Sequence, residues 1–287
     1  MAAETNTIFK ADLAKVRTLD FALQFNGSIK SLLEMVGITR KISVNEGSVV
    51  KGYKVTGTLN DSSVAEGDLI PLSKYRSEEI ALGEIKLEKW RKATTAEAIL
   101  RSGYDHAVGD TTDKMVKDVQ KTIRASLVDA LATGTGEASG AGLQAAFANA
   151  WGQLQILFED DAVDTVYLIN PLDAADYLGT SEITMQTVFG MKYIEDFLGL
   201  GSVLTNSNVP KGTFYATAKE NLVMYYVNVA NSELGRAFGL TTDESGFIGI
   251  NEYADKDSAR ILDLVMSGIL FFPERIDGVV VGTISGE

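Results

Sequence analysis

Residues 47–92 read GSVVKGYKVTGTLNDSSVAEGDLIPLSKYRSEEIALGEIKLEKWRK. Two strand-forming stretches flank a polar, turn-rich middle, which predicts a long β-hairpin. The outgoing strand is Val49–Thr58, with Val49, Tyr53 and Val55 on one face. The connection, Leu59 to Pro71, is rich in Asn, Asp, Ser and Gly. The return strand runs from about Lys74 to Trp90. Its apolar phase is even at Ile80 and Leu82, then odd at Ile85 and Leu87, and the switch predicts a β-bulge at Gly83-Glu84. A return strand of about 17 residues would reach ~50 Å, well beyond the usual strand. An isolated hairpin of that length is marginal in water. No sheet of matching length is evident in the sequence, so the expected support is another copy of the chain.

Outward from the hairpin, residues 1–45 read as an arm with one short amphipathic helix. Phe25-Asn26-Gly27-Ser28 predicts a turn and cap; Ile29, Leu32, Leu33 and Val36 follow at helical spacing, and Gly37 stops the helix. On the other side, Thr94-Thr95-Ala96-Glu97 predicts a capping box that opens a short helix towards Gly103. Asp110 or Thr111 then caps a long helix to Leu131, whose apolar stripe is Met115, Val116, Val119, Ile123, Leu127 and Leu131. The segment 134–142, GTGEASGAG, is small, polar and glycine-rich, and reads as a flexible domain boundary. A helix bearing Leu143, Phe147, Trp151, Leu154 and Phe158 follows. After it come a buried strand at Val163–Ile169, a helix opened by Asn170-Pro171, and strands near Val203–Thr205, Thr213–Thr217 and Leu222–Val229. Phe247–Tyr253, Ala259–Phe272 and Ile276–Ile284 form a last β-rich segment, expected to pack on the long helix.

Composition narrows the function classes. The chain has 287 residues, 45% apolar and 23% charged, which is a globular balance. With no cysteine there is no disulfide framework, thiolate nucleophile or cysteine zinc site, and with one histidine, no site that needs two. The N-terminus lacks a signal-peptide core, and the longest apolar run, Ile261–Phe272, is too short for a membrane span. The chain therefore reads as soluble and made in a reducing compartment. Its net charge of −13 is uneven: residues 1–134 hold 19 Lys+Arg against 18 Asp+Glu, whereas residues 135–287 hold 7 against 21. The first half suits contact with copies of itself, and the acidic half is ill suited to gripping nucleic acid.

Four features could carry chemistry. Gly134-x-Gly136-x-x-x-Gly140 echoes a phosphate-binding loop, but it follows a predicted helix and lacks Gly-Lys-Ser/Thr, so a linker is favoured. Glu159, Asp160, Asp161 and Asp164 could bind a hard cation, yet they match no calcium-loop spacing; a solvated helix end is favoured. His106 sits beside Asp105 with no nucleophile motif, which favours a structural or surface role. Lys89-Trp90-Arg91-Lys92 has acids nearby, and reads as a strand base making subunit contacts rather than a nucleic-acid patch.

The order of these pieces resembles the major capsid proteins of tailed phages, with the Hong Kong 97-like fold. The most specific stretches are Val64-Ala-Glu-Gly-Asp-Leu-Ile-Pro-Leu-Ser-Lys-Tyr-Arg76 and Ile85-Lys-Leu-Glu-Lys-Trp-Arg-Lys-Ala-Thr-Thr-Ala-Glu97. The resemblance covers essentially the whole chain. It implies an α+β fold with an N-terminal arm (1–46), an extended loop lying over a neighbour (47–92), a peripheral domain (93–134 and 250–287) with a spine helix at 112–132, and an axial α/β domain (135–249). It also implies hexamers and pentamers in an icosahedral or prolate head that encloses double-stranded DNA without sequence-specific binding. Partners would be the chain itself, a separate scaffolding protein, a portal protein and decoration proteins, with no membrane, no cofactor, no metal and no catalytic site. Localisation would be the virion, assembled in the bacterial host cytoplasm. The chain begins with the arm, so no proteolysed leader is expected. The residues expected at subunit contacts are Val49, Tyr53, Val55, Asp68, Lys74, Arg76, Ile80, Leu82, Ile85, Leu87, Trp90 and Arg91. The rival within this fold is an encapsulin-type bacterial compartment. The rival of another class is a soluble metal-dependent α/β enzyme built on the acid cluster.

Overall fold

The computed structural model describes residues 22, 25, 29–60, 63–64, 69–158, 163–179, 185–188, 191–230, 232–242 and 244–285. Helix α1 covers 29–36, and Ala22 and Phe25 are already helical. Helix therefore stands where a turn was expected at Phe25; the rest of that turn, 26–28, lies outside the described residues. The 3.6-residue spacing puts Ile29, Leu32, Leu33 and Val36 on one buried face, and Gly37, at φ 79°, ends the helix. The arm then runs into strand β1 (Lys41–Ser43), the hairpin strands β2 (Val49–Thr58) and β3 (Lys74–Glu84), and β4 (Glu88–Thr95).

Two expectations for the hairpin are corrected. The return strand is not continuous to Trp90: it ends at Glu84, and Ile85–Leu87 separate it from β4. The phase switch between Leu82 and Ile85 marks that break, not a bulge at Gly83-Glu84. The bulge lies further out, where Gly52 pairs with Ala81 but Tyr53 pairs with Glu79, leaving Ile80 unmatched.

Helix α2 (Ala96–Ser102) is capped by Thr95, whose hydroxyl accepts from the Ala98 N–H, one residue later than the box on Thr94 and Glu97 would place it. A π-helical turn (Asp105–Asp110) leads into the 22-residue α3 (Thr111–Ala132). Its buried face is Thr112, Val116, Val119, Ile123, Leu127, Val128 and Leu131, which is the predicted stripe with Thr112 and Val128 added and Met115 half-buried against the same core. This face joins Phe25, Leu32, Leu33 and Val36 of the arm in one hydrophobic core.

The glycine-rich segment is a further correction. Gly136–Ala141 is strand β5, paired in parallel with β15 (Val279–Ser285). Small residues let it lie close to its neighbours: a Cβ on Gly140 would stand 2.3 Å from the Ala146 backbone nitrogen. It is built into the sheet, and is not a flexible linker.

Helix α4 (Gly142–Leu157), strand β6 (Thr165–Ile169), helix α5 (Pro171–Leu178) and strands β7 (Gln186–Val188), β8 (Met191–Ile194), β9 (Ser202–Thr205), β10 (Thr213–Ala218) and β11 (Leu222–Tyr226) follow. Helix α6 (Glu233–Ala237) precedes β12 (Ile248–Asp255), β13 (Arg260–Ser267), β14 (Ile269–Pro273) and β15. Among the described residues, seven strands form the largest sheet, ordered β5-β15-β10-β6-β9-β8-β7. Three-stranded sheets β12-β13-β4 and β1-β11-β14 and the two-stranded ribbon β2-β3 complete the fold. The closing segment breaks at Gly268, where β13 and β14 enter different sheets; a Cβ there would stand 2.9 Å from Val227 Cγ2. Among the described residues, no helix is long and apolar enough to cross a membrane.

A second core lies between α4 and the seven-stranded sheet. Phe147 stacks on Tyr167 at 4.3 Å and meets Phe214 and Phe197 edge-on at 5.1 and 5.3 Å. Burial raises the pKa of the Tyr167 phenol, which donates to the Phe147 carbonyl. Trp151, expected on this face, is instead exposed. Phe147→Ala is expected to cost about 3–5 kcal/mol, because three rings lose their common partner. Urea unfolding should show it as a lower midpoint; a loss below about 1 kcal/mol would mean that the site collapses to fill the void.

Candidate assembly surface

The β2-β3 ribbon leaves the body with its far end uncovered. Its strands pair from Val49–Glu84 at the base to Thr58–Lys74 near the tip. Asn60 ties the tip, donating from Nδ2 to the Leu72 carbonyl at 2.6 Å and from its backbone N–H to Ser73 Oγ at 3.1 Å. Beside this polar staple, Leu59 is 76% exposed, Leu69 94%, Ile70 74% and Leu72 91%. Four large aliphatic side chains on one projection form an apolar patch that no described residue of the chain covers.

The base of the ribbon is anchored at home. Ile85 donates its N–H to the Ser48 carbonyl, and Gly47 donates to the Ile85 carbonyl. Gly83 faces Leu270 and Phe272 of β14, where a Cβ would meet Leu270 Cδ2 at 3.1 Å. Ile85, expected to reach a neighbour, is fully buried by its own subunit, and Leu87 is half-buried. Trp90 is half-buried against the first core, so it too is largely covered from within. Val49, Lys74, Arg76 and Arg91 are exposed, with Arg76 3.4 Å from Glu78. The backbones of Tyr53, Val55, Ile80 and Leu82 lie in β2 and β3, but their side chains, and all of Asp68, fall outside the described residues. The sequence reading missed Leu59, Leu69, Ile70 and Leu72. Their signal is aliphatic character within a turn-rich connection, from which only Asp68 stood among the expected contacts.

The basic-aromatic run is divided by strand alternation. Lys89 and Arg91 are exposed, whereas Trp90 and Lys92 turn inward. Lys92 Nζ lies 2.7 Å from Oδ2 of Asp263, which is 1% exposed. It also donates to Thr111 Oγ1, Thr112 Oγ1 and the Val108 carbonyl, and Thr112 donates to Asp263 at 3.0 Å. This buried network pins the start of α3 to β4 and β13. Glu252, next to Asp263 across the sheet, accepts from the Tyr104 hydroxyl.

His106 is fully exposed, with Nδ1 2.8 Å from Asp110 Oδ2. The hydrogen bond to Asp110, and then its charge, raise the imidazole pKa above its ordinary 6.5. The pair's contribution is therefore present below pH 6.5 and lost as pH rises through the raised value. An NMR titration should place His106 above 6.5, and Asp110→Asn should bring it back; an unchanged midpoint would disprove the pairing. Glu159, Asp160 and Asp161 lie outside the described residues, and Asp164 is exposed, 3.7 Å from Lys219 Nζ. A cleft of about 920 Å³ lies between β5 and α4, and a shallower groove of about 520 Å³ between α2 and the β12–β13 turn.

No protein-family model matches the chain, and no curated protein matches it. Solved structures do match its backbone. A cyanophage A-1(L) capsid subunit superposes with a TM-score of 0.57 at 11% identity, covering 89% of this chain and 93% of the other. The holo-SrpI encapsulin complex of Synechococcus elongatus gives 0.55 at 12% identity, covering 98% and 92%. A virus-like particle from Pyrococcus furiosus gives 0.54 at 13% identity, covering 93% and 97%. At such identities the likeness is one of backbone path, carried over nearly the full length of each chain.

Proposed function

From the premise that this chain has the Hong Kong 97-like fold of phage capsids and encapsulins, we propose that it is the repeating subunit of a closed protein shell. The observation that carries this reading is the ribbon tip, four aliphatics left exposed among the described residues. Covering them with a neighbour contributes ~25 cal/mol per Å² of apolar area, less the ordering of the loop. Closed symmetry repeats that contact around rings of six and five and then over the whole shell. The first half supplies mixed charge for these contacts. The acidic half, turned to the lumen, keeps packaged DNA from adhering to the wall.

The ribbon's bulge at Ile80 supplies the adaptability that lets one sequence fit non-identical positions; strand β5 is too firmly paired to serve as the hinge. The chain is read as a phage major head protein that encloses double-stranded DNA, assembled with separate scaffolding, portal and decoration proteins. The function requires no catalysis and no cofactor. The encapsulin match over 98% of the chain supports a second reading, a compartment around protein cargo.

Size-exclusion chromatography and negative-stain microscopy of the purified chain test the shell itself. Closed particles are expected; a monodisperse monomer at high concentration would overturn the proposal. Nuclease-protected DNA inside particles isolated from cells supports a head, and co-purified protein cargo supports a compartment.

A further inference from the structure

We draw no further inference here: the strongest candidate, the cleft of about 920 Å³ between β5, the end strand of the main sheet, and the charge-free helix α4 with its exposed Ile156, carries nothing further, because nothing in the structure shows what covers it.

Discussion

Replacing residues 59–73 with an Asn-Gly turn is expected to abolish particle formation while leaving the subunit folded. Thr58 pairs with Lys74, so a two-residue turn closes the ribbon without disturbing its register. The deletion removes Leu59, Leu69, Ile70 and Leu72, and each is worth about 1.5 kcal/mol or more once buried, roughly 6 kcal/mol per tip before ordering costs. If half survives those costs, each contact weakens by about a hundredfold, and a shell built from repeated contacts loses far more. Light scattering and microscopy read the assembly, and thermal unfolding reads the fold. Intact particles from the shortened chain would show that the tip is dispensable. A large fall in Tm would show that it packs at home.

The second large effect is on stability. Lys92→Met is expected to cost about 3–5 kcal/mol, because it leaves the Asp263 carboxylate buried without its cation. For a chain of this size that corresponds to a Tm lower by roughly 6–10 °C. Urea unfolding of the tip-shortened chain measures it without a contribution from assembly. Thr112 keeps an acceptor in the Val108 carbonyl, so Lys92→Met combined with Asp263→Leu leaves few polar groups unpaired. The double variant is therefore expected to recover most of the loss. A single-variant cost below about 1 kcal/mol would mean that water reaches the carboxylate.

What could be read from sequence divides along physical lines. The helix at Ile29–Val36, the stripe of α3 and, to within one residue, the cap of α2 depend on neighbours within a few residues, and local pattern exposes them directly. Strand β6 was legible because five consecutive buried residues leave little alternative. Strand β5 was not, because Gly-Glu-Ala-Ser-Gly-Ala has little strand propensity and owes its state to β15, a distant segment of the sequence. The break at Ile85–Leu87 was mistaken for a bulge because both shift the alternation by one. The role of Lys92 was hidden for a different reason: its partner is fixed by the pairing of β4 with β13, and a local window sees only a basic run. At the candidate surface, the hairpin itself was legible, but the residues its tip presents became apparent only once exposure was known.

The position of β15 has a consequence for synthesis. It lies between β5 and β10, joined to one in parallel and to the other antiparallel. A nascent polypeptide that has not yet extruded residues 279–285 from the ribosome therefore holds β5 and the β10 half as separate pieces, with no strand to bridge them. Folding from the N-terminus cannot complete the main sheet early. The two parts of the main sheet would then meet only once that one strand has emerged and paired with both.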